Sequence, residues 1–281
     1  MNDKIGIGVI TCNRHQYFAK CIGSLFNPAY YSELVVVNDG EPHEDFEKLE
    51  KLNLATKYIQ NEKNLGIGKS KNKAIKYLMD AGCEHIFILE DDIIVNDKIV
   101  FKKYIEAAKE SGILHFNYGL GTPFNKKQSI QFDLHNRHEL NDDGEPNPRI
   151  IVEYDNIKIS FYPHICGMFS YYNRKVIESI GYIDEQFYNA WEHVDHTYQA
   201  IKKGFHPPFW WFADIYNSDE YISPQKDAIK NSVTAKNTDA WMENVQKNAD
   251  KYRVKNGTYP AQTPQVSQND FLKTLKDIKN G

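Results

Sequence analysis

Three consecutive carboxylates, Glu90, Asp91 and Asp92, follow directly on the apolar run Ile86–Leu89. Like charges packed this closely repel, and burial raises their pKa values unless something positive lies between them. The chemistry open to such a trio is a divalent-cation site, because hard ions such as Mg²⁺ and Mn²⁺ take oxygen ligands. A basic partner and an exposed acidic turn are the alternatives. A second cluster, Glu192, His193, Asp195 and His196, puts two carboxylates beside two imidazoles. Histidine titrates near ~6.5 and can accept a proton from a hydroxyl, although a single ring is more often a structural one. Two polar groups, Thr11-Cys12-Asn13-Arg14 and Asn38-Asp39-Gly40, each close a short β-branched run.

The elements that position these residues follow from periodicity. Ile5–Ile10, Leu34–Val37, Tyr58–Gln60 and Ile86–Leu89 read as strands. Helical spacing separates them, at Tyr17, Phe18, Cys21, Ile22, Leu25 and Phe26, and again at Ala74, Ile75, Leu78 and Met79. Strands alternating with helices predict a parallel sheet covered on both faces, whose ligands sit beyond the carboxyl ends of the strands. All three polar clusters of the first hundred residues fall at such ends. Further strands are expected over Ile113–Phe116 and Cys166–Tyr171, with a hairpin over Ile150–Asp155 and Ile157–Tyr162. A polar loop is expected over 136–149. Helices are expected over Arg174–Ile180, Glu192–Lys203, Asp239–Tyr252 and Phe271–Ile278.

The totals exclude several classes. With 34 Lys and Arg against 38 Asp and Glu, the net charge of −4 disfavours a nucleic-acid binder. No apolar run approaches the ~20 residues of a membrane span, which leaves peripheral association open. The four cysteines lack metal or disulfide spacing and read as reduced thiols of a cytoplasmic protein, with a place at the inner face of the membrane left open. A phosphate-binding P-loop in NLGIGKSKN fails, because Lys63 occupies the place of its first glycine.

Five segments, in order, resemble the GT-A fold nucleotide-sugar glycosyltransferases, most closely family 2: VITCNR (9–14), VVVNDGE (35–41), NLGIGKSKNKAI (64–75), LEDDIIV (89–95) and CGMFSYYNRKVIESIGYIDEQFYNAWEHVD (166–195). The resemblance implies an α/β fold of GT-A type. A Rossmann-like nucleotide-binding half with a mixed central sheet (1–112) would join an acceptor-binding half (113–235), with a C-terminal helical extension (236–281). It implies transfer of a hexose or N-acetylhexosamine from a UDP-sugar to a hydroxyl of a glycan or glycolipid, in bacterial surface glycan synthesis, with Mn²⁺ or Mg²⁺.

By the same resemblance Asp92, with Glu90, would bind the metal. Thr11, Asn13, Arg14, Asp39, Asn64, Gly66, Lys71, Glu90, Asp91 and Gly167 would line the donor. Asp39 would meet the uracil, and Gly167 would leave room for the sugar ring. Lys71 stands where the family has Arg and would reach base or diphosphate. The family's Glu-Asp pair, whose Asp is the base in inverting members, aligns here with Glu192-His193. The base is therefore left open among His193, Glu192 and Asp195, and a retaining reaction would need none of them. Trp191, with Trp210 or Trp211, would offer aromatic faces to the acceptor. Two rivals are a non-catalytic sugar-nucleotide binder of the same fold and a sugar-phosphate nucleotidyltransferase. The latter lacks its glycine-rich loop after the first strand.

Overall fold

The computed structural model describes residues 3–27, 29–128, 143–225, 227–228 and 238–281. In chain order the first elements are β1 (Ile5–Thr11), α1 (His15–Leu25), β2 (Glu33–Asn38), α2 (Glu44–Lys51), β3 (Lys57–Gln60), α3 (Ile67–Asp80), β4 (His85–Glu90), β5 (Ile93–Val95) and α4 (Ile99–Ser111). Then come β6 (His115–Asn117), β7 (Ile150–Tyr154), β8 (Ile157–Tyr162), β9 (Phe169–Asn173), α5 (Arg174–Ile180), α6 (Glu192–Lys202), β10 (Phe212–Ile215) and β11 (Ile222–Pro224). The chain closes with α7 (Thr238–Asn256) and α8 (Gln268–Asn280).

The central sheet has the order β3-β2-β1-β4-β9-β6. Its first four strands are parallel, β9 runs antiparallel to them, and β6 pairs antiparallel with β9 and so returns to the first direction. β1, β2 and β4 are apolar on both faces because helices cover both. Gly8 brings α3 onto β1: a Cβ there would stand 2.8 Å from the Ala74 methyl. The mixed sheet is the architecture expected of a GT-A fold. Smaller antiparallel sheets, β10-β8-β7 and β11-β5, flank it.

The expected hairpin over 150–162 forms as β7 and β8. Two strands start later than expected. The strand expected over Cys166–Tyr171 begins at Phe169, and the carbonyl of Gly167 is given to Lys71 Nζ (3.1 Å) rather than to a ladder. The strand expected over Ile113–Phe116 becomes His115–Asn117. Residues 136–142 of the expected polar loop, and the boundary expected at 235, lie outside the described residues.

Residues 268–280 pack into the main core. Phe271 is fully buried, with its ring 4.3 Å from that of Trp211 and 4.8 Å from that of Phe161. Burial of such a side chain stabilises by about 2–3 kcal/mol. Among the described residues no helix is long and apolar enough to cross a membrane.

Candidate active site

The acidic trio closes β4 where β1 and β2 also finish. Strand register places Ile10 opposite Glu90 and Thr11 opposite Asn38, so the polar ends of all three strands adjoin. Asp91 and Asp92 are buried. The positive charge among them is Arg14, which bonds Asp91 Oδ1 and reaches Asp92 Oδ2 at 3.4 Å. The Thr11 hydroxyl donates to the other Asp91 oxygen at 2.6 Å. Burial pushes Asp91 up to about 6 against the pull of Arg14. Asp92 rises to about 7, again chiefly through burial and then through the nearby charge of Glu90. Asp92 Oδ1 is buried and has no hydrogen-bond partner among the described residues.

Asp39 adjoins this cluster but has little left to offer a base. Its Oδ1 accepts from the Leu65 amide and Asn61 Nδ2, both at 2.7 Å, and its Oδ2 accepts from the Gly66 amide at 2.9 Å. Its carboxylate therefore holds the loop that opens α3. Gly66 has φ +90°, and a Cβ there would stand 2.7 Å from the ring of Tyr188. Asn64 accepts from the Tyr188 hydroxyl (2.9 Å), and Asn13, itself at φ 55°, accepts from the Glu41 amide (2.8 Å). These loop residues tie the strand ends to one another.

Lys71, expected to reach base or diphosphate, is engaged within the protein. It is buried, and its three ammonium hydrogens face Glu90 Oε1 (2.8 Å), the Gly167 carbonyl (3.1 Å) and Glu192 Oε1 (3.2 Å). Burial acts to lower its pKa, but Glu90 and Glu192 outweigh that and raise it. Burial would raise Glu192, yet Lys71 and then His193 hold it well below the usual carboxylate range. Gly167 makes this possible. A Cβ there would meet His193 Nδ1 at 2.9 Å and Lys71 Nζ at 3.3 Å, so the space expected for a sugar ring is filled by His193.

Of the three candidates for the base, the structure links Glu192 and His193 to Glu90 through Lys71 and takes Asp195 away. Asp195 is buried and accepts from Lys255 Nζ (2.7 Å), Asn256 Nδ2 (2.9 Å) and Gln199 Nε2 (3.2 Å), which fastens α6 to α7. His196 is also interior, its Nε2 3.0 Å from the Gly181 carbonyl. His193 is part-exposed, with Nδ1 3.2 Å from Glu192 Oε1.

The aromatic platform is corrected in part. Trp211 lies in the core, stacked on Phe271 at an interplanar angle of 13°. Trp191 and Trp210 are half-buried, and each spends its indole N–H on the C-terminal segment, to the carbonyls of Val245 (2.9 Å) and Thr263 (2.7 Å).

Residues that sequence reasoning missed include Asn61 and Gln225. The Gln225 amide donates to the Asp92 carbonyl (2.7 Å) and its Nε2 to that of Asp91 (2.9 Å), holding the acidic turn from β11. Nothing local in the sequence marks them, because both act through partners far along the chain.

Residues 7–181 match the model of glycosyl transferase family 2. The chain belongs to that family. An uncharacterized glycosyltransferase of Acanthamoeba polyphaga mimivirus is similar to this family 2 chain, 28% identical over 195 residues. The match spans 68% of this chain and 66% of that protein. Among solved structures, S. aureus TarS 1–349 superposes with a TM-score of 0.50 at 17% identity, covering 98% of this chain and 80% of that one. Against a longer TarS chain the match covers 70% of this chain and 33% of that one, with TM-score 0.46 and 18% identity. The likeness to TarS 1–349 shows a shared GT-A fold.

Proposed function

We propose that this glycosyltransferase moves a hexose or N-acetylhexosamine from a UDP-sugar to the hydroxyl of a glycan or glycolipid, with His193 as the general base and Mn²⁺ or Mg²⁺ at Asp92. One observation supports the reading: beyond the strand ends, Lys71 joins Glu90 of the acidic trio, whose Asp91 and Asp92 are buried, to Glu192 and through it to a part-exposed imidazole, His193. In this reading residues 1–112 take the donor, residues 113–235 the acceptor, and 236–281 brace the acceptor side.

No group of three or more His, Cys, Asp or Glu among the described residues forms a ready metal cage. The residues nonetheless fit an ion of the Mg²⁺ class, which is commonly bound through one or two carboxylates with phosphate oxygens and water completing the shell. The unpartnered Asp92 Oδ1 supplies such a ligand, while Glu90 gives at least one oxygen to Lys71. An ion held there supplies positive charge to the departing diphosphate. Arg14, already between Asp91 and Asp92, can turn its guanidinium to the same phosphates, which it suits by bidentate geometry.

On the acceptor side, His193 takes the proton of the attacking hydroxyl. Glu192 is a poorer candidate: it is buried, ion-paired and held well below the usual carboxylate range. The test is a panel of nucleotide sugars assayed for nucleotide release with the full chain, with Mn²⁺ and with excess chelator. Turnover of a UDP-sugar that needs the ion supports the reading, and full turnover in chelator overturns the metal role. Binding of UDP without any turnover across the panel and a set of glycan acceptors would favour a non-catalytic binder.

A further inference from the structure

The ammonium of Lys71 touches three separate parts of the fold: the end of β4 through Glu90, the loop before β9 through Gly167, and the first residue of α6 through Glu192. All three of its donors are thereby used, so no hydrogen remains for a phosphate. The Glu192 oxygen that accepts from Lys71 is the same Oε1 that faces His193 Nδ1 at 3.2 Å. An ionised carboxylate can only accept, so Nδ1 opposite it must carry the hydrogen. In a neutral imidazole the lone pair then lies on Nε2. No described residue bonds Nε2, and the ring is part-exposed.

We propose that Lys71 is a positioning residue, which holds Glu192 as an anion so that Glu192 fixes His193 with its hydrogen on Nδ1 and its lone pair on Nε2, toward the acceptor hydroxyl. The inference rests on the reading of His193 as the base. It adds a residue of the opposite half of the site to the acceptor-side chemistry. Lys71 starts from α3, a helix whose first turn is set by the loop that Asp39 holds, and the same ammonium grips Glu90 of the acidic trio. A shift of α3 or Glu90 is therefore felt at Glu192 and so at the base. Gly167 is part of the device, since any side chain there would press on both His193 Nδ1 and the Lys71 ammonium. Burial supports the assignment: without Lys71, the interior site of Glu192 favours the protonated acid, which donates rather than accepts. A donating Glu192 would draw the lone pair to Nδ1 and leave the hydrogen on Nε2, where the base needs its electrons.

The test reads the tautomer directly, from long-range proton–nitrogen correlations of ¹⁵N-histidine in the full chain, with His193→Gln used to assign the resonance. Wild type is expected to show the Nδ1–H form at His193. Lys71→Met is expected to lose that form and to lower kcat by ~10- to 100-fold with little change in donor KM, in the range a misplaced base produces. Lys71→Arg, which keeps the charge, is expected to restore the tautomer. Should Lys71→Met fail to fold, Glu192→Ala decides, because Lys71 keeps Glu90 there while His193 loses its Nδ1 partner. An Nε2–H ring in wild type overturns the proposal, and so does an unchanged tautomer in Lys71→Met or, where that variant does not fold, in Glu192→Ala. The readout needs no turnover. If His193→Gln keeps full activity, the base reading fails while the tautomer result stands on its own.

Discussion

At the scale of single residues, the acidic trio is a costly feature and an informative one. Asp92 is pushed up to about 7 by burial and by Glu90, from 3.8 in the unfolded chain. Between those values the folded protein keeps a proton that the unfolded chain has released, so this residue's contribution to stability falls as pH rises. Asp92→Asn removes the penalty. In metal-free buffer the variant is expected to gain stability over wild type as pH climbs from about 4 to about 7, levelling off above at roughly 4 kcal/mol. It should be inactive at every pH. Chemical denaturation at a series of pH values checks this, and a variant less stable than wild type at pH 8 would contradict it. His193→Gln carries a different signature. Loss of a general base lowers kcat by ~10²- to 10⁴-fold, with the donor KM nearly unchanged, as steady-state kinetics would show.

Elements decide which of these residues meet. The strand ends were legible because apolar runs stop at polar turns, and the trio's place beside the ends of β1 and β2 followed from parallel topology alone. Its counter-charges were not legible. Arg14 and Lys71 are brought to Glu90, Asp91 and Asp92 by the register of β1 against β4 and by the seating of α3 on the sheet. Asp195 failed as a candidate for a related reason: its position on α6 looks toward α7, and helical spacing alone does not say which neighbour a face will meet. Asp195→Asn therefore separates structure from chemistry. Losing the pair with Lys255, whose side chain is 30% exposed, is expected to cost about 1–3 kcal/mol. The rate per folded molecule should stay near wild type. A fall in kcat like that of His193→Gln, without loss of stability, would return Asp195 to the list of bases.

For the molecule as a whole, the C-terminal helices belong to the same body as the sheet. The sequence marked a helix over Phe271–Ile278 but gave residues 255–281 no role, because their apolar positions are few; only Phe271 and Leu275 of α8 are buried. Those two enter the main core with Trp211 and Phe161, which is why Trp211 serves packing instead of an acceptor. Phe271→Ala is expected to destabilise the protein by about 3–5 kcal/mol in a single cooperative transition. A separate, early-melting C-terminal transition would show instead that α8 is an appendage.

On the proposed reading, the strand-end cluster of Arg14 and the acidic trio, adjoining Asp39, binds a uridine diphosphate through an ion at Asp92. Calorimetric titration of UDP into the full chain tests it most directly, with Mn²⁺ and with chelator, in wild type and in Asp92→Ala. The predicted result is binding at least ~10-fold tighter with the ion, a difference of about 1.4 kcal/mol, and no such gain in Asp92→Ala. Equal affinity with and without Mn²⁺ in wild type would contradict it.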